Sequence, residues 1–156
     1  MVSDLHRDQV PWWTLRSDKL REQLHHPVTS SADEWANEIL HLDQLIVEGF
    51  ETKWLRSKAH SMGRTPDPTL RSLRLVEECL IALGFAEDDA KNLVAPLKET
   101  HDLRSRVKGH ASGNDAAAIR KQILNQHGDY KEHFWALCKR CDESIRTIAE
   151  AFQKIT

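Results

Sequence analysis

Apolar residues recur three and four positions apart through most of the chain, and that spacing predicts helices. The clearest stripe is Trp35, Ile39, Leu42, Ile46, Phe50 and Trp54, with Leu45 beside it. It reads as one face of an amphipathic helix opened by Ser30 or Ser31 and ending near His60. Asp33 and Glu34 fall in its first turn, where the helix dipole favours acids. Leu70, Leu73, Val76, Leu80, Ile81 and Leu83 give a second helix, with Gly84 as its C-terminal cap. A third opens at Phe85-Ala86-Glu87-Asp88-Asp89 and stops at Gly109. Pro96 lies inside it and is expected to kink or restart it. Asp115 caps a short helix over 116–126, broken by His127-Gly128. A final helix runs from about Asp129 to Lys154, with Phe134, Leu137, Cys138, Cys141, Ile145, Ile148 and Phe152 on its apolar face. The Gly and Pro content of Ser61–Pro68 and the segment 110–114 mark loops. Ahead of these lies a lead-in, where Trp12-Trp13 is a bulky anchor and Ser17 can cap a short helix over 18–25, ended by Pro27. Nothing alternates with period two over a useful length. The expected fold is all-α: an up-and-down helical bundle of four to five main helices. Residues 1–29 form the N-terminal lead-in with a short helix, and 30–156 form a single helical-bundle domain.

Composition agrees with that reading. Among 156 residues, Leu and Ala number 32 against 15 for Val and Ile, while Gly and Pro total 11. These counts favour helix over sheet. The length suits one domain that buries a core without disulfides or a structural metal. A net charge of −2 argues against an indiscriminate nucleic-acid coat, though not against a local basic site. No run approaches the ~20 apolar residues of a membrane span, and Met1–Arg7 lacks a signal peptide's apolar core. The three cysteines do not form a secreted disulfide framework. A soluble cytoplasmic protein with no membrane association is expected.

Most candidate chemistry reduces to structure. Cys138-Lys-Arg-Cys141 has metal or redox spacing, but zinc normally takes four ligands and Cys79 is the only other cysteine. Both sulfurs fall on the apolar face, which suits small buried hydrophobes. The nine histidines include no H-E-x-x-H pair. Glu77-Glu78 and Glu87-Asp88-Asp89 read as solvated faces or dipole caps. No G-x-S-x-G elbow supports an acyl-transfer serine. No strand leads into a Gly-rich turn, so dinucleotide and P-loop sites have no support. Neither a metal nor a cofactor is expected.

The segment 97–113 stands apart. Arg104, Arg106 and Lys108 fall within five residues, flanked by His101 and His110, and residues 98–121 carry six Lys/Arg against three Asp/Glu. In contrast, residues 33–51 hold six acids and no Lys or Arg. On a continuous helix Arg104 and His110 would differ by about 240°. A helix ending at Gly109 would let His110 swing back toward Arg104. A guanidinium beside an imidazole can bind a phosphate and move a proton.

Arg104-Ser-Arg-Val-Lys-Gly-His110 resembles the Arg-x(4–6)-His motif of the HEPN superfamily (higher eukaryotes and prokaryotes nucleotide-binding). The phrase from Asp102 to Gly113 is similar to prokaryotic members of abortive-infection and toxin type. Many active members carry Asn, Asp or His where this chain has Ser105. The resemblance implies an all-α bundle with the motif at a helix end and a long closing helix. It also implies a metal-independent ribonuclease that works as a homodimer, in phage defence or a toxin–antitoxin system. Arg104 and His110 would be catalytic: His110 as general acid/base, Arg104 on the phosphate. Local chemistry adds Arg106, Lys108 and Ser105 as RNA contacts. The other reading is a non-catalytic module for dimerisation, RNA binding or partner binding, with an antitoxin or other protein as partner. In that case Arg104 would sit in a structural salt bridge, with Asp102 or Glu99 as its local partners.

Overall fold

A computed structural model describes residues 2–107 and 113–156, with side chains from residue 4 and again from 115. Among the described residues the chain is all-α, with eight helices. They are α1 (Val2–Asp8), α2 (Lys19–Gln23), α3 (Ala32–Ile46), α4 (Thr52–Ser61), α5 (Ser72–Ala82), α6 (Glu87–Val107), α7 (Gly113–His127) and α8 (Tyr130–Phe152). That is more than the four to five expected. No described helix is long and apolar enough to cross a membrane.

Part of the excess comes from a helix that breaks. The stripe from Trp35 to Trp54 predicts one helix, yet α3 stops at Ile46 and α4 begins at Thr52. The cause lies far away in sequence. Trp13 packs over Gly49, and its indole Nε1 donates to Ile46 O at 3.0 Å, satisfying a carbonyl at the end of α3. Thr14 N donates to Gly49 O (2.8 Å) and Glu51 N to Trp12 O (2.9 Å), making a short antiparallel bridge between Trp13 and Phe50. The apolar period continues through Phe50 because that side chain is buried either way.

Other ends follow local chemistry. Ser31 caps α3 by accepting from the amides of Asp33 and Glu34. Asp129 caps α8 through Lys131 N and also accepts from Ser30 Oγ at 3.0 Å, tying the starts of α3 and α8 together. Gly84 ends α5 at φ +99°, with Phe85 N donating back to Leu80 O. Pro96 neither restarts nor splits α6, which is helical from 87 to 107. The proline is buried, and its carbonyl accepts from Thr100 Oγ1 (2.9 Å) and Cys141 Sγ (3.6 Å). One missing backbone hydrogen bond is tolerated in a long helix that packs against α3, α5 and α8.

The core runs between α3, α6 and α8, with α5 against α6 and α4 against α5. Trp12 lies within it, stacked on Phe50 and edge-on to Phe152. The lead-in thus carries two helices, and its tryptophans are core residues.

Candidate functional site

Helix α6 delivers Arg104 in its last turn, and α3 delivers Asp43 to meet it. Asp43 is an acid within an apolar face, four residues after Ile39 and three before Ile46. It is fully buried. Its Oδ1 lies 3.0 Å from His101 Nδ1 and its Oδ2 lies 3.7 Å from Arg104 Nε. Arg104 also reaches Glu48 Oε1 at 3.6 Å. His101 and Arg104 stand three apart, so they share one face of α6. Burial raises the Asp43 carboxyl above its usual range, opposed by the His101 hydrogen bond and the charges of His101 and Arg104. With Asp43 ionised, His101 carries its hydrogen on Nδ1 and leaves Nε2 free. Arg104 is held but not sealed: its side chain keeps 35% of its exposure. The result is a guanidinium in a fixed orientation, half open to solvent and able to receive an anion.

The other expected residues divide. Ser105 and Arg106 are exposed. Arg106 lies about 200° round the helix from Arg104, so the two do not address one point on a ligand from this helix. Lys108 and His110 lie outside the described residues. Glu99 and Asp102 do not partner Arg104: Glu99 is turned to α8, and Asp102 is exposed.

His101 and Asp43 were legible only faintly. His101 reads as a flank of the basic segment and Asp43 as one of six acids. The usable signal was a charged residue in register with an apolar stripe.

A second, partly exposed network joins α6 to α8. Arg140 donates to both Glu99 oxygens, at 2.8 and 3.0 Å, and His133 Nε2 lies 3.7 Å from Glu99. Trp35 Nε1 donates to His133 Nδ1 at 3.1 Å, which places the imidazole hydrogen on Nε2, facing Glu99. The His133 hydrogen bond, then Arg140, holds the Glu99 carboxyl down at about 2. The cysteines are inert packing groups: burial pushes Cys79 and Cys138 up to about 12 and Cys141 to about 11. Two Glu-x-x-His spacings, Glu22–His25 and Glu38–His41, are present in the sequence and have the form used by di-metal bundles. Glu38 instead accepts from the His25 backbone amide at 2.8 Å and lies 3.6 Å from His41 Nδ1. No group of three or more metal-ligating side chains occurs among the described residues.

No protein-family model, curated protein or solved structure matches the chain.

Proposed function

We propose that the protein is a metal-independent ribonuclease whose phosphate-binding group is Arg104 and whose general acid/base is His110. The observation that carries this is the setting of Arg104. It stands at the end of α6, braced by Asp43 and Glu48 and still partly open. A catalytic guanidinium needs that combination: orientation fixed in advance, with one face free for the phosphate. In the reaction the ribose 2′-oxygen attacks the adjacent phosphorus and the bond to the 5′-oxygen breaks. His110 accepts the 2′-hydroxyl proton, and a proton is returned to the departing 5′-oxygen. The products are a 2′,3′-cyclic phosphate and a 5′-hydroxyl. Exposed Ser105 and Arg106, together with Lys108, supply contacts to flanking phosphates. The partners are RNA and a second copy of the chain. A cytoplasmic role in phage defence or a toxin–antitoxin system follows from the resemblance.

One observation favours the second reading, a non-catalytic RNA- or partner-binding module. Arg104 has two carboxylates already, and such pairing also serves a purely structural role. Wild type and His110→Ala, incubated with total RNA and tRNA in EDTA, separate the two. The ribonuclease reading expects cyclic-phosphate products from wild type and a loss of at least 10²-fold in the variant, the usual range for positioned proton transfer. Cleavage by neither protein favours the binding module, and equal cleavage by both removes His110 from the chemistry.

A further inference from the structure

The link between α4 and α5, the start of α5 and the middle of α6 enclose an open cavity of about 650 Å³. That lies within the range of about 300–1,000 Å³ typical of small-molecule sites. One wall is apolar, built by Val47, Pro68, Leu70 and Leu73. The rim is cationic: Arg56, Arg71, Arg74 and Lys98 face only two lining carboxylates, Glu48 and Asp102. In a chain of net charge −2 this is a local reversal of sign.

The four cations differ in how far they are engaged. Arg56 closes the loop by donating to the carbonyls of Asp67, Pro68 and Leu70. Arg74 and Lys98 converge on one carboxylate, the buried Glu77, so that pairing leaves a surplus positive charge. Glu48 is turned to Arg104. Arg71 is exposed, and its side chain makes no hydrogen bond or ion pair among the described residues. His101 lines the same cavity, its Nδ1 engaged by buried Asp43 and its Nε2 left for a ligand. The first-turn amides of α5 open here without a side-chain cap and add to the positive field, though the side chains and the cavity carry the argument.

We propose that this cavity binds a phosphorylated nucleoside, free or as one unit of a single RNA strand. The phosphate would lie on Arg71 and Lys98 and the base against Leu70, Leu73 and Pro68, while the His101 Nε2 lone pair would accept from a ribose hydroxyl. The apolar wall distinguishes this from a bare anion site, because a phosphate alone leaves it unused. The proposal rests on the ribonuclease reading for its strand. Binding itself needs no turnover and no part of residues 108–112.

Calorimetry on the full chain with cytidine 3′-monophosphate, cytidine and inorganic phosphate tests it, together with anisotropy of a labelled octaribonucleotide. The mononucleotide is expected to bind more tightly than cytidine or phosphate. Arg71→Glu should weaken the mononucleotide and the octamer by tenfold or more, the scale of one charged hydrogen bond. Lys139→Glu, on α8 and outside the cavity, should leave both unchanged. Arg71 holds no other residue, so its variant should keep the wild-type Tm; His101→Gln gives a second variant on the ligand face. Failure of the mononucleotide to bind wild type overturns the proposal, as does equal binding by Arg71→Glu. Phosphate binding as tightly as the mononucleotide overturns base recognition. Nucleotide binding without any RNA cleavage would sink the ribonuclease reading and leave the cavity assignment standing. Cleavage with no effect of Arg71→Glu would do the reverse.

Discussion

Two carboxylates show how burial sets the behaviour of a single side chain. Asp43 and Glu99 each face a histidine and an arginine. Asp43 is fully enclosed, and desolvation raises its carboxyl despite those partners. Glu99 keeps 37% of its exposure, and its hydrogen bonds dominate, holding it near 2 against an ordinary 4.5. A depressed carboxyl stabilises the fold above its unfolded value and loses that contribution as pH falls. Stability should therefore decline between about pH 4.5 and pH 2. The drop corresponds to roughly 3 kcal/mol before screening and about 1 kcal/mol after it, because the group is partly in water. Glu99→Gln should lower stability at pH 7 by about that amount and flatten this part of the acid limb in urea melts. An unchanged acid limb would remove Glu99 from the linkage.

At the level of helices, the break between α3 and α4 is the main departure from periodicity. Val47 and Gly49 are weaker helix formers than Ala or Leu, but a bulky ring crossing Gly49 stops the helix outright. A Cβ at Gly49 would collide with the Trp13 indole. Gly49→Ala should therefore cost about 1–3 kcal/mol, the range of overpacked cores. The opposite result, a gain of stability from higher helix propensity, would show that Trp13 does not set the break. Thermal melts followed by circular dichroism read this directly. Pro96 errs in the other direction: a residue that ends isolated helices is accommodated where both flanks are packed.

For the molecule as a whole, the lead-in decides how the bundle closes. Trp12 joins Phe50 and Phe152, bringing the α3–α4 link and the end of α8 together. Trp12→Ala should cost about 3–5 kcal/mol, as large aromatic truncations do, and lower Tm by roughly 6–20 °C for a domain of this size. Removing residues 1–16 should cost at least as much, with exposed apolar surface visible by dye binding. An unchanged Tm would show that the bundle closes without the lead-in. The helical class, most element ends and the Ser31 and Gly84 caps were legible in the chain. Each depends on contacts within a few residues, where periodicity and capping chemistry act. The core role of Trp12 and Trp13 could not be read that way, nor could the broken helix, the unbroken Pro96 or the pairing of Asp43 with His101 and Arg104. Those contacts join residues from 33 to 140 positions apart, and local period carries no record of which distant side chain will arrive. Arg104 stands out in the sequence by its spacing to His110, but its carboxylate partners come from α3 and the link after it, because packing selects partners by space rather than by sequence.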